Sequence, residues 1–177
     1  AAAAAAAAGS GPGVLSGFYD PSLIGFEETV AFALETTRAA LVAGGPSLTH
    51  CQPLKEILAV QLPSAMCHAM IHHPSMNVTS CFVQTALALL KFDDSEFVSA
   101  VGAMVERVLL PLAERQAGVP TEQQEAALEG LLDLIRQPEF ARRLFVSHDC
   151  RLDRTPLFES LFTALSRLAL IDAPLGG

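Results

Sequence analysis

Residues 77–92 read NVTSCFVQTALALLKF and carry the clearest structural signal in this chain. Apolar side chains occur on nearly every side of a helix drawn through them, and Asn77 stands where it would cap the first turn. A helix that is apolar all round is enclosed by its neighbours, because it has no polar face to turn toward solvent. The pattern therefore predicts a buried central helix.

The sequence on both sides of this stretch also has helical periodicity. Apolar residues recur at helical spacing in six further segments, which begin near Phe26, Pro53, Ser95, Thr121, Pro138 and Thr155. Pro63 and Pro111 fall inside two of these segments and predict kinks or breaks, since proline removes a backbone donor. Short, proline-broken helices around one apolar helix favour stacked helical hairpins over a four-helix bundle. The predicted fold is all-α, an armadillo- or HEAT-like superhelix of about seven helices.

Local signals predict how several of these helices begin and end. Gly44-Gly45 is a stop for the first helix, and the run Asp93-Asp94-Ser95 is expected to cap the helix that begins there. Thr121 followed three residues later by Gln124 matches a capping box. In the last helix, Phe158, Leu161 and Phe162 are predicted to face inward.

Length and composition indicate one globular domain. The chain has 177 residues, of which 51% are hydrophobic and 17% charged, and this is enough for one sizeable core. We expect a disordered low-complexity linker at residues 1–25, a single domain at residues 26–172 and a tail at residues 173–177. The net charge of −8 argues against a nucleic-acid partner, which requires clustered basic residues.

Cysteine usage and hydropathy indicate a cytoplasmic protein. Cys51, Cys67, Cys81 and Cys150 lie far apart and form no CxxC pair. We therefore expect reduced, buried thiols, as is usual in the cytosol. No apolar run approaches the ~18 residues that predict a transmembrane helix.

Residues 67–73, CHAMIHH, are the candidate metal site. His68 and His72 lie four apart on one helical face next to Cys67, a set that would suit a small metal-dependent or thiol enzyme. Ala69 stands where an HExxH motif has its general base, and no second ligand pair follows at a standard spacing. Polar residues at an exposed helix end are the simpler interpretation. No metal or cofactor is predicted.

Ser147, His148, Asp149 and Cys150 stand side by side near the C-terminus. Adjacent side chains generally point apart, and no oxyanion-hole or nucleophile-elbow pattern accompanies them, so a nucleophile is not predicted. Asp149 is instead expected to accept backbone N–H bonds in the polar break before the last helix, fixing how that helix leaves the preceding one. Cys150 is expected to pack beneath it.

Basic residues gather around the same segment. They are Arg142, Arg143, Arg151 and Arg154. Such a group could attract phosphate or an anionic membrane. Because acidic residues such as Asp153 and Glu159 are interspersed, we interpret the arginines as part of a scattered, solvated face.

The C-terminal third resembles a known family signature. Within residues 122–169 a Leu-rich helix is followed by Pro138-Glu139-Phe140, Phe145-Val146-Ser147-His148-Asp149-Cys150, Leu157-Phe158-Glu159-Ser160-Leu161 and Leu165-Ser166. This order resembles the HUS region (homology upstream of the catalytic domain) of the large Arf guanine-nucleotide exchange factors, especially their Golgi-type branch. Ser147 and His148 replace the family's usual Asn and Tyr, and Arg151 stands where an acid is common. Asp149 and Cys150 are retained.

The resemblance implies a non-catalytic, α-helical regulatory domain of an Arf exchange factor that acts in Golgi vesicle trafficking. Its implied partners are an upstream dimerisation domain and a downstream exchange domain of the same protein. Through the parent protein, the implied partners also include an Arf-family GTPase and the Golgi membrane. The implied location is the cytoplasm, with peripheral association to Golgi membranes. The implied interaction residues are Phe145, Val146, Ser147, His148, Asp149 and Cys150. Exchange activity is not expected of this chain, and the alternative is a generic armadillo-like adaptor domain unrelated to Arf exchange.

Overall fold

Seven helices make up the part of the chain that the structure describes. A computed structural model describes residues 21–72, 75–114 and 119–171. The helices are α1 (Pro21–Gly44), α2 (residues 52–72), α3 (Met76–Leu89), α4 (residues 95–113), α5 (Thr121–Ile135), α6 (residues 140–149) and α7 (Leu157–Ile171), with a 3₁₀ turn at Gly45–His50. These described residues contain no strand. The predicted all-α class is confirmed.

Alternate helices stack in two layers. In one layer α3 packs against both α1 and α5, and in the other α4 packs against both α2 and α6. Helix α7 packs against α6, and contacts between sequence neighbours, such as α3 with α4, join the layers. Two stacked layers of consecutive helices are the arrangement of helical-repeat proteins. The proline-broken pattern predicted this architecture correctly.

Helix α3 is the buried centre of the molecule. Side chains with no exposed surface are present on successive turns, and they are Val78, Phe82, Ala86 and Leu89. Its threonines are buried as well, and the Thr85 hydroxyl donates a 2.8 Å hydrogen bond to the carbonyl of Cys81. Burying a hydroxyl without a hydrogen-bond acceptor would destabilise the fold, so this bond allows Thr85 to lie in an apolar core. The prediction of an enclosed central helix is confirmed.

Pro63 and Pro111 lie inside continuous helices, each preceded by a π turn. The π turns are Ile57–Gln61 in α2 and Val105–Leu109 in α4, and each comes at the same offset before its proline. They close through bonds to the carbonyl five residues back, donated by Leu62 and Leu110. Proline cannot donate to the carbonyl four residues back and clashes with it, so a locally wider turn relieves the conflict. The predicted distortions are therefore π turns, and neither proline divides its helix.

Two predicted helix ends are confirmed. Helix α1 ends at Gly44, and Gly45 follows with φ +51°, a left-handed conformation that glycine adopts without steric cost. Asp94 caps α4 by accepting a 2.9 Å hydrogen bond from the Glu96 N–H. The Lys55 ammonium lies 2.6 Å from the Asp94 carboxylate and lowers its pKa, so the cap also joins α2 to α4.

Three predicted helix starts are wrong. Helix α3 is capped by Ser75 and not by Asn77. The Ser75 hydroxyl oxygen, one position before the helix begins at Met76, accepts a 3.2 Å hydrogen bond from the Val78 N–H. At α5, Thr121 is already helical and no side chain caps the start, because the chain enters from Pro120. Helix α1 begins at Pro21, inside the stretch expected to be linker. The remainder of that linker and the 173–177 tail lie outside the described residues.

Candidate functional site

Asp149 joins α6 to α7. Helix α6 consists of Phe140–Leu144 followed by the π turn Phe145–Asp149. The Asp149 Oδ2 atom accepts a 2.9 Å hydrogen bond from the N–H of Phe158, and its Oδ1 atom accepts a 3.1 Å bond from the N–H of Glu159. N–H groups in the first turn of a helix have no partner within the helix, and a carboxylate there also suits the helix dipole. The prediction that Asp149 binds backbone N–H groups and fixes the last helix is confirmed.

The remaining residues of the 145–150 segment divide between the surface and the interior. Phe145 and Val146 are about half exposed, and the Cys150 thiol is exposed as well. Ser147 is half-buried and donates to the Leu144 carbonyl at 3.2 Å. The prediction that Cys150 packs beneath the joint is wrong. Its N–H closes the π turn by bonding the Phe145 carbonyl at 3.1 Å, and the chain leaves the helix there with the side chain outward.

Three phenylalanines form an exposed aromatic cluster beside this joint. The Phe145 ring meets Phe158 edge-to-face at a centroid distance of 5.5 Å, and Phe158 lies 4.4 Å from Phe162. Phe145 is 45% exposed and Phe162 is 39% exposed. Of the residues predicted to face inward, Leu161 is buried, whereas Phe162 is not. We use the name aromatic cluster for Phe145, Phe158 and Phe162.

His148 occupies the interior side of the π turn. It is only 5% exposed, and among the described residues neither ring nitrogen has a hydrogen-bond partner. The ring lies against Gly102 of α4, where an added Cβ atom would be 2.6 Å from Nε2. Burial lowers the pKa of His148, and the Arg154 charge lowers it further, while Glu106 and Asp149 act in the opposite direction.

The lowered pKa predicts a loss of stability in mild acid. The unfolded chain protonates this histidine below its ordinary pKa of about 6.5, whereas folded His148 stays neutral to lower pH. Because the unfolded state then binds more protons, the free energy of unfolding is fully retained above about pH 6.5 and falls as the pH drops below it. Urea unfolding at pH 8 and pH 5.5 measures this loss.

The His148→Gln variant is the control for this prediction. It retains the other four histidines of the chain and removes only the titration of His148. We expect the variant to lose less stability between the two pH values than the wild type. Equal losses in both proteins would contradict the assignment.

A groove of about 900 Å³ opens between α4 and α6. Val60 of α2, Val98 of α4 and Val146 of α6 supply apolar parts of its wall, and His148 lies at its inner side. Four arginines also line it, and they are Arg142, Arg143, Arg151 and Arg154. We call this feature the arginine groove. The four arginines were predicted to be scattered over a solvated face, but the fold brings them to one groove.

The arginines of the groove have different partners. Arg142 pairs with Glu139, and the Arg143 guanidinium lies 3.1 Å from the carboxylate of Asp93. Arg151 forms two 3.0 Å hydrogen bonds to Asp153. Arg154 donates a 2.9 Å bond to the Ser99 hydroxyl, and no described carboxylate forms an ion pair with it.

The candidate metal residues do not converge. The rings of His68 and His72 lie 4.3 Å apart at the surface of α2, whereas Cys67 is buried, and burial raises its thiol pKa. A raised pKa disfavours the thiolate that would act as ligand or nucleophile. The residues that the structure describes contain no group of three or more His, Cys, Asp or Glu side chains placed to hold a metal ion.

Comparison with known families identifies the domain. A family model described as Sec7-like HUS (Mon2/Sec7/BIG1-like, HUS domain) matches residues 26–157, most of the chain. The chain belongs to the HUS domain family. The HUS match includes α2 to α6 in full, the whole 145–150 segment and the first residue of α7. The matched region is the non-catalytic HUS domain of Arf exchange factors.

Curated relatives of this HUS domain are plant Arf exchange factors. The chain is 31% identical over 156 residues to ARF guanine-nucleotide exchange factor GNL1 of Arabidopsis thaliana, covering 86% of this chain and 11% of that protein. It is 28% identical over 155 residues to ARF guanine-nucleotide exchange factor GNOM of the same species, covering 86% of this chain and 10% of that protein. The chain thus spans about a tenth of the length of these relatives. No solved structure matches it significantly.

Helix length and hydropathy bear on whether the chain could cross a bilayer. Among the residues that the structure describes, no helix is both long and apolar enough for a transmembrane span.

Proposed function

We propose that this HUS domain is a regulatory docking module of a large Arf guanine-nucleotide exchange factor that acts in Golgi vesicle trafficking. One domain containing α1 to α7 binds neighbouring domains of the same polypeptide, chiefly the dimerisation domain upstream and also the exchange domain downstream. Through that parent protein it contributes to activating an Arf-family GTPase on the cytoplasmic side of Golgi membranes. Exchange activity belongs to the parent protein.

The observation that carries this proposal is the aromatic cluster. Exposed aromatic side chains on a firm framework are typical anchors of protein interfaces, because they offer a large contact area at little entropic cost. The framework here is firm because Asp149 holds the first turn of α7, which carries Phe158, to the end of α6, which carries Phe145. The docking surface is therefore Phe145 of the segment together with Phe158 and Phe162 of α7.

Asp149 has a positioning role in this proposal. Both of its carboxylate oxygens accept backbone N–H groups of the same chain. Ser147 and His148 are likewise directed away from the aromatic cluster, one bonded to its own helix and the other buried. The contact with the partner is made by the apolar side chains, and Asp149 determines where they stand.

The test is a calorimetric titration of the purified HUS chain with the upstream domain of its parent protein. We expect the Phe145→Ala/Phe162→Ala double variant to bind at least about tenfold more weakly, as the loss of aromatic interface anchors usually does. Phe32→Ala is the matched control, because Phe32 is 70% exposed on α1 and lies outside the cluster. Unchanged affinity of the double variant, or an equal loss in the control, would refute the proposed surface.

The generic adaptor alternative loses its basis. It required the likeness to the HUS signature to be accidental. The family match instead extends from residue 26 to residue 157. The enzyme alternative built on Cys67, His68 and His72 has no geometric support, because the cysteine is buried away from the two exposed rings.

A further inference from the structure

We infer that the arginine groove is a second binding site, which takes an acidic, extended peptide segment of a protein partner. The groove and the aromatic cluster lie on different faces of the same π turn. Phe145 packs on Phe158, whereas Val146, Ser147 and His148 line the groove. The two sites are therefore separable, and this inference does not depend on the docking surface proposed above.

The first argument is the concentration of positive charge. Four of the chain's 11 basic residues line this one groove, although the chain as a whole has a net charge of −8. Two glutamates also line it, but both have partners. Glu96 lies 3.1 Å from the Lys55 ammonium, and Glu106 accepts a 2.9 Å bond from the Thr155 hydroxyl. Counted over its lining residues, four arginines against two glutamates, the groove has a positive excess that the rest of the molecule lacks. Three of the arginines have carboxylate partners at the rim, and Arg154 has no ion pair among the described residues. This favours an acidic ligand that meets Arg154 and competes for the paired arginines.

The second argument is the unsatisfied histidine at the inner side of the groove. A buried polar group without a hydrogen bond is costly, and native proteins rarely keep one without a reason. His148 has two such ring nitrogens, and it lines the same groove as the arginines. Both nitrogens are covered in the free domain, so an N–H of this ring would donate to a ligand carboxylate after the ring turns toward the groove. A bound acidic residue would therefore remove an energetic defect of the free domain.

The shape and lining of the groove favour a peptide over a small anion or a lipid headgroup. Its volume of about 900 Å³ exceeds what a single phosphate would fill, and valines from α2, α4 and α6 provide apolar contacts for neighbouring side chains. The planar guanidinium group forms paired hydrogen bonds with a carboxylate, as Arg151 already does with Asp153. Arg143 holds the fully exposed carboxylate of Asp93, which a ligand carboxylate could replace.

The experiment is a fluorescence-polarisation titration of the 177-residue chain with a labelled peptide of alternating Glu and Leu. A peptide with Gln in place of Glu is the ligand control. We expect saturable binding of the acidic peptide only, weakened about tenfold by Arg154→Gln, as loss of a charge-assisted contact implies. Arg136→Gln is the matched protein control, because it removes the same charge from a side chain that is 72% exposed and does not line the groove.

Nuclear magnetic resonance provides a second measurement at the buried histidine. The ring-nitrogen signals of His148 are expected to shift on addition of the acidic peptide and to stay in place with the Gln peptide. Equal weakening by Arg136→Gln and Arg154→Gln, or an unchanged His148 signal, would overturn the inference. So would displacement of the peptide by millimolar inorganic phosphate, or tighter binding to vesicles that contain phosphoinositide, because either result would assign the groove to a phosphate-bearing ligand. Phe145→Ala/Phe162→Ala should leave peptide binding unchanged.

Discussion

Asp149→Ala is expected to lower the free energy of unfolding by about 2 kcal/mol, the usual scale for a lost helix cap whose acceptor is charged. The variant leaves the N–H groups of Phe158 and Glu159 without the acceptor that holds them at 2.9 and 3.1 Å. Since the helices themselves do not depend on this side chain, the far-ultraviolet circular dichroism should remain helical. Urea unfolding should show a lower midpoint.

The same variant should also weaken binding of the upstream domain. Without the cap, the start of α7 is no longer tied to α6, so Phe158 and Phe162 lose their fixed position beside Phe145. Asp149→Asn is the matched control, because its amide oxygen still accepts a bond although the charge is lost, and we expect an intermediate effect on both measurements. Full stability in Asp149→Ala would show that the carboxylate does not hold the joint.

Phe82→Ala is expected to destabilise the domain more than the loss of the Asp149 cap does, by about 3–5 kcal/mol. Phe82 lies on the central helix α3 with no exposed surface, so its removal leaves a cavity that neighbours on several helices would have to fill. A domain of this kind has a total stability of about 5–15 kcal/mol. The variant should therefore unfold at a much lower temperature, as calorimetry can measure.

Phe32→Ala is the appropriate comparison for Phe82→Ala. It deletes the same atoms from a helix surface position that is already solvated, and we expect a change within about 0.5 kcal/mol. A similar loss in both variants would mean that burial on α3 does not control stability.

The central helix and the Asp149 joint were predictable because their causes are local. An all-apolar helix has to be enclosed wherever it occurs. An Asp at the end of one helix is separated only by a short loop from the unpaired N–H groups that begin the next helix. The wrong helix starts have equally local reasons. Ser75 competes with Asn77 for the same end of α3, and a side chain at Thr121 cannot cap a turn in which it is already helical. Sequence spacing alone does not resolve a choice between adjacent positions.

The arginine groove and the aromatic cluster were not predictable in the same way. The burial of His148 depends on Gly102, which lies far away in the sequence, and the groove exists only because α4 and α6 pack side by side. Periodicity placed Phe162 on the apolar face of α7. It does not show which part of that face is covered by other helices and which part stays exposed. The family signature was recognisable in the C-terminal third because it contains distinctive residues. The family match begins at residue 26, but no single residue in that earlier part identifies the family by itself.

The π turns of α2 and α4, each followed by a proline, indicate how these helices could have changed in length during evolution. A π turn holds one residue more than the α-helical turn it replaces, so it can arise by insertion of a single residue into an existing helix. The turns at Ile57–Gln61 and Val105–Leu109 accommodate Pro63 and Pro111. We expect relatives without proline at these two places to be one residue shorter just before them. An alignment of the family should therefore open single-residue gaps there, inside helices, where gaps are ordinarily treated as errors.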